Sequence, residues 1–278
     1  MSDRYAVIAN PVAHSKSPWI HARSASGYLA GACRIACRLS RRGRLRVLAL
    51  AWKAFCYTLG TLAIVIVAVQ LWFFSHILYW NHFNPASTAF MDRRLEALRV
   101  NDAKARLRRE WVLYERISPH LKRAVIAAED ARFLDHEGFD WEAIQKAMNK
   151  NEKQGRVVSG ASTISQQLAK NLFLSGERSW LRKGQEALIT WMLERAMSKR
   201  RILELYLNVA EWGEGVFGAQ AAARYHFGVP AASLTPEQAA YLAAILPSPR
   251  HYEQGRVTPY IAGRIATIRS RLGSAQIP

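Results

Sequence analysis

At 278 residues the chain has room for one large domain, or for a medium one with appendages, and its hydrophobic half is enough to build a core. The net charge of +18 draws it to anionic partners, and charge alone does not choose between nucleic acid and anionic lipid. The three cysteines, Cys33, Cys37 and Cys56, all lie near the front, which excludes an intrachain disulfide from everything beyond them.

Residues 1 to 53 hold ten Lys and Arg against one Asp, half of the whole positive excess. Within them the stretch from Ser2 to His21, which includes Asn10-Pro11-Val12-Ala13-His14-Ser15-Lys16-Ser17-Pro18, resembles the opening strand and substrate loop of shikimate dehydrogenases, whose serines matching Ser15 and Ser17 contact shikimate. The resemblance ends within residues 1 to 22, and no glycine-rich dinucleotide turn follows. We read it as a stray fragment, left by gene fusion or a misplaced start, and not as a working site.

The cluster Arg34, Arg38, Arg41, Arg42, Arg44, Arg46 and Lys53 stops where a charge-free run begins, from residue 54 to residue 74. About 20 apolar residues suffice to cross hydrocarbon as a helix. Basic residues before such a run place the N-terminus in the cytoplasm, and Trp52, Tyr57, Trp72, Tyr79 and Trp80 near its ends suit the interfaces. The run exceeds a signal-peptide core and lacks a cleavage pattern, so a retained anchor is expected. Residues 75 to 102 read as a neck, and 103 to 278 as a largely helical domain on the far side.

In that domain Ser118-Pro119 predicts a helix start, and Leu121, Val125 and Ala128 form its core stripe. Gly138 is the expected stop, which puts Glu129 and Asp130 in the last turns, carboxylates where the helix dipole does not favour them. Further on, Thr163 and Gln166 have capping-box spacing, while Ser162, Gln166 and Lys170 repeat every four residues and predict one polar face suited to a sugar or phosphate. In Arg182-Lys183-Gly184-Gln185-Glu186 the spacing lets both cations meet Glu186, as an ordinary surface ion-pair cluster or as a site. Residues 199 to 218 read as an amphipathic helix and a glycine loop, chiefly scaffold, and residues 234 to 249 as a capped core helix without chemistry.

Together, in this order, Glu129-Asp130-x-x-Phe133-x-x-His136-x-Gly138, Gly160-x-Ser162-Thr163-Ile164-x-Gln166-Gln167, Arg182-Lys183-x-x-Glu186 and Ile202-Leu203-Glu204-x-Tyr206-Leu207-Asn208 resemble glycosyltransferase family 51, the peptidoglycan glycosyltransferases that polymerise lipid II. The resemblance implies a mainly α, lysozyme-like domain after one transmembrane helix, with a small membrane-facing jaw at about residues 139 to 160. It implies Glu129 as general base, its pKa raised by burial or by Asp130, and Glu186 assisting departure of the lipid diphosphate directly or through a divalent metal, Mg or Mn, whose ligands stay unassigned. Lys170, Arg182 and Lys183 would neutralise phosphate. Asp130, Ser162, Thr163, Gln166 and Gln167 would bind substrate, and Phe133, His136, Gly160, Asn171, Glu204, Tyr206 and Asn208 would support the site. No organic cofactor is implied. The α-linked donor and β-1,4-linked product imply an inverting single displacement.

The implied partners are lipid II, the growing glycan, membrane lipid and division or elongation proteins, with no nucleic acid, and the implied place is the bacterial inner membrane with a periplasmic catalytic domain. Neither Ser-x-x-Lys nor Lys-Thr-Gly occurs in the chain, so no transpeptidase activity is expected. The competing readings are a lytic transglycosylase or lysozyme-like enzyme, which has no need of the Arg182-Lys183-Glu186 group, and a non-catalytic cell-wall scaffold.

Overall fold

A computed structural model describes residues 23–156, 160–174, 179–252 and 257–278, with side chains from residue 43 onward. The shikimate dehydrogenase-like stretch, together with the side chains of Cys33, Cys37 and the arginines up to Arg42, lies outside the described residues. The chain divides into two units, residues 1–67 and 68–278. In the first, every described residue belongs to helix α1 (Arg23–His82), whose side chains from Gly43 to Val67 are all exposed.

From Gly43 to His82 this helix is long and apolar enough to cross a membrane. A helix meets the bilayer's demand that every backbone polar group be satisfied internally. The hydroxyls of Thr58 and Thr61 follow the same rule, donating back to the carbonyls of Ala54 and Tyr57 at 2.8 Å. Helix continues well past residue 74, because Trp72, Phe73 and Trp80 find a ring to pack on in Phe173.

The second unit is mainly α. It contains α2 (Ala89–Asn101), α3 (Pro119–Glu129), α4 (Trp141–Lys153), α5 (Ile164–Phe173) and α6 (Trp180–Ala196). After these come α7 (Lys199–Val209), α8 (Ala219–Phe227), α9 (Pro236–Ile245) and α10 (Pro259–Arg271). Three very short strands, β1 (Arg108–Arg109), β2 (Glu211–Gly213) and β3 (Val216–Phe217), form a sheet with β3 central, parallel to β1 and antiparallel to β2. The segment read as a neck is partly packed: Met91 of α2 is buried, and Arg94 is paired at 2.8 Å with the buried Glu211.

Two packed groups carry the core. One joins α9 to α3 and α10, and the other joins α5 to α6 and α7. Phe133, Tyr206, Trp212 and Phe217 are fully buried in the core, a large apolar area whose removal from water is the main favourable term of folding. Glu204 and Asn208 of α7 hold the incoming chain. Asn208 accepts from the Val112 amide and donates to the Val112 carbonyl, both at 2.9 Å, while Glu204 accepts from the Tyr114 amide at 3.1 Å. Gly218, at φ +88, lets the loop pass so close to α7 that a Cβ there would stand 2.8 Å from the Asn208 carbonyl oxygen.

The expected stop of the acidic helix is corrected. The helix α3 ends at Glu129, with Asp130 as its C-cap, nine residues before Gly138 is followed by Phe139. Asp130 turns the chain because its carboxylate is claimed by other elements, accepting from the Ile164 amide of α5 and from His136 Nε2, each at 2.9 Å. Gly138 has a different task. At φ +92 it lies against Thr190 and Glu194 of α6, and its carbonyl accepts from Thr163 Oγ1 at 2.7 Å.

Candidate active site

The end of α3 and the start of α5 face each other because Asp130 bonds the first amide of α5, and this contact sets Glu129 beside Gln167. Gln167 Nε2 donates to Glu129 Oε2 at 2.8 Å, and the hydroxyl of Tyr206 donates to Gln167 Oε1 at 2.8 Å. A carboxylate only accepts, so Glu129 must receive the amide N–H, and the amide oxygen is left for a hydroxyl donor. Burial pushes the Tyr206 phenol well above its ordinary value of 10.0, which keeps it protonated for that task.

Glu129 has a side chain 11% exposed. Burial raises its pKa above 4.5, against the lowering effects of the Gln167 hydrogen bond and of the Arg264 and Lys170 charges; the Asp130 charge adds the smallest contribution. The carboxylate neighbour expected to raise it is therefore secondary to desolvation. Asp130 itself keeps both oxygens engaged inside the protein, and His136, which accepts from the Gly138 amide on Nδ1 at 3.1 Å, donates a hydrogen bond to Asp130 from Nε2.

Glu129 opens on a cavity of about 550 Å³ lined also by Arg132, Gly160, Ser162, Thr163, Gln167, Pro247, Arg264 and Arg271. A second cavity of about 520 Å³ is lined by Gln167, Lys170, Asn171, Tyr206, Glu211 and the segment Leu246–His251. Gln167 and Pro247 belong to both walls, so the two cavities are neighbours. Lys170 interacts electrostatically with Glu129 and with Glu186, and burial lowers its pKa from 10.5.

Glu186 is buried, with Arg182 Nη1 at 3.0 Å and Lys183 Nζ in contact. Burial separates this group from the ordinary surface pairs the spacing allowed, which are screened and worth little. Around Glu186 the cations outnumber the carboxylate, so the group carries net positive charge and suits an anion. Among the described residues no three His, Cys, Asp or Glu side chains gather to hold Mg or Mn by protein ligands alone, and both Glu186 oxygens accept from cations.

Two other readings of the sequence are corrected. Ser162, Gln166 and Lys170 do not share a helical face, because α5 begins only after its cap, Thr163. Gln166 is buried in the capping box with Thr163, and the residues of α5 that face the second cavity are Gln167, Lys170 and Asn171. The segment after α9 is also part of the site, since Pro247 lines both cavities and Ser248 and Pro249 line the second. Sequence reasoning missed Arg264, 3.9 Å from Glu129 Oε1, along with Arg271, Glu211, Arg250 and His251. The sequence signal of the basic ones is the basic character of α10 and of the segment after α9, while Glu211 lies in the stretch read as scaffold.

The surface is apolar in places. Trp141 and Met148 of α4, and Trp180, Leu181, Leu188 and Trp191 of α6, are exposed large hydrophobic side chains. A desolvated carboxylate beside a cation group, on a mainly α fold that carries an apolar anchor helix, is the equipment of a glycosyltransferase. Residues 96–272 match the family model described as transglycosylase, and the chain belongs to that family. A biosynthetic peptidoglycan transglycosylase of Nitrosospira multiformis is 60% identical over 227 residues, covering 82% of this chain and 97% of that protein. Proteins of the same description from Aromatoleum aromaticum and Methylobacillus flagellatus are 56% and 57% identical over 223 and 215 residues, or 79% and 77% of this chain and 96% and 94% of theirs.

Proposed function

We propose that the chain polymerises lipid II into linear β-1,4-linked glycan strands at the outer face of the bacterial inner membrane, with its N-terminus in the cytoplasm. The observation that carries this reading is the pairing of a largely desolvated, hydrogen-bonded Glu129 with the Lys170-Arg182-Lys183 group around Glu186 on the adjacent helices. Glu129 takes the proton of the acceptor sugar's 4-hydroxyl while that oxygen attacks the anomeric carbon of the growing chain. The bond from that carbon to the diphosphate oxygen breaks in the same step, inverting the centre, and the lipid diphosphate leaves with the electron pair.

The three cations stabilise the charge that develops on the leaving group. Glu186 holds Arg182 and Lys183 in one geometry, and the basic residues of α1 ahead of its charge-free run support the orientation across the membrane. Division or elongation proteins are further proposed partners.

The test is turnover of fluorescent lipid II by the full chain in vesicles. Long glycan products are expected, with Glu129→Gln slower by about 100-fold or more. Fragments released from preformed peptidoglycan, with lipid II untouched, would instead establish the lytic class, and silence on both substrates would leave the scaffold.

A further inference from the structure

Thr58 and Thr61 satisfy their hydroxyls within α1, but Gln70, in the same charge-free run, does not satisfy its amide there. Its Nε2 donates to Gln185 Oε1, and Gln185 Nε2 donates to Gln70 Oε1, both at 3.0 Å. A side-chain amide at membrane depth is costly and needs a partner, since hydrocarbon offers it no water.

Gln185 lies within the turn that carries Arg182, Lys183 and Glu186, and among the described residues that turn buries no apolar side chain of its own. Trp180 and Leu181 are 92% and 89% exposed, nothing lies within 4 Å of a Cβ built on Gly184, and the first apolar side chain that α6 buries is Ile189. The same end of α1 also grips α5. The ring of Phe173, three residues after Lys170, lies 5.2 Å from that of Phe73 and 5.0 Å from that of Trp80. One short segment of the anchor therefore touches both helices that supply the cation group.

We propose that the Gln70–Gln185 pair is a positioning element of the site, setting the rotation and depth of the first turns of α6 so that Arg182, Lys183 and Glu186 face Lys170. Neither glutamine touches substrate. They act through the cation group, so the role is read in handling of a lipid diphosphate. The inference rests on the lipid II reading above, and its test keeps the two apart.

The full chain, in vesicles of phosphatidylethanolamine and phosphatidylglycerol, is compared with Gln70→Leu, Gln185→Leu and the double variant. Binding of undecaprenyl diphosphate is measured directly, beside kcat/KM for lipid II. Each single variant and the double should lose roughly fivefold in both, the scale of an interhelical hydrogen bond in a membrane. In the double variant the two leucines leave no unpaired amide, so its thermal midpoint and the acid limb of its pH profile should stay at the parent's values.

A double variant within twofold of the parent in both diphosphate binding and kcat/KM overturns the proposal. So does a loss of turnover that comes with a lowered midpoint and unchanged diphosphate affinity. If the parent itself does not turn over lipid II, the functional reading fails, and the diphosphate-binding arm decides the pair alone.

Discussion

Replacing Gln167 by Leu removes the hydrogen bond that the Glu129 carboxylate receives from the Gln167 amide. Hydrogen bonds to charged groups contribute about 1.5–3 kcal/mol, and one pKa unit corresponds to about 1.4 kcal/mol, so the carboxyl should rise by about one to two units beyond the rise burial already causes. The direction follows from chemistry. The base works as the carboxylate, so kcat/KM climbs with pH through the pKa of Glu129, which in the parent lies above 4.5, and the variant should climb about one to two units later.

Leu at 167 also strands the Tyr206 hydroxyl, so the double variant Gln167→Leu/Tyr206→Phe should show the same shift with better stability. The assay is initial-rate lipid II polymerisation across the pH range at constant ionic strength. An acid limb that stays in place while rates fall equally at every pH would refute the argument, because Gln167 would then bind substrate without tuning the base.

Arg264→Gln withdraws a cation 3.9 Å from Glu129 Oε1, and since that side chain is 28% exposed and partly screened, the same limb should move up by roughly half to one unit. Glu129→Gln should stabilise the fold at neutral pH. A carboxyl whose folded pKa is raised favours the folded state below its unfolded value and loses that contribution as pH rises through the folded one, so melting of parent and variant should diverge above that point and converge in acid. Gly138→Ala forces a left-handed backbone at φ +92 and sets a Cβ 2.9 Å from Thr190 Cγ2. A loss of about 2–3 kcal/mol is expected, seen as a thermal midpoint about 5–10 °C lower, and an unchanged midpoint would show that the turn relaxes freely.

What was legible in the sequence was local. The meeting of Arg182, Lys183 and Glu186 follows from helical spacing alone, and so does the Thr163–Gln166 cap, because both involve residues within one turn of each other. The cap even separates the two adjacent glutamines: Gln166 turns back to it, and the helical rotation carries Gln167 toward Glu129. The polar face through Ser162 failed for a related reason, since a helix that starts after residue 163 cannot carry residue 162 on its side. Arg264 and Pro247 reach Glu129 only because α9 and α10 pack against α3, and no spacing rule spans that distance in sequence. The strands of two and three residues are too short to leave an alternating pattern.

Glu129 and Asp130 are neighbours of like charge, and the fold assigns them opposite tasks through the partners it offers. Asp130 meets two donors that belong to the framework, one from the start of α5 and one from His136, so its charge is used in joining α3 to α5. Glu129 meets a single amide, itself fixed from behind by Tyr206, and keeps an oxygen turned toward a cavity. The second arrangement depends on the first, because the Asp130 bond to Ile164 sets where α5 begins and hence where Gln167 stands. A carboxylate committed to the framework thus determines how basic its neighbour can be, and an enzyme that must desolvate a base without losing the fold has reason to use two acids in sequence.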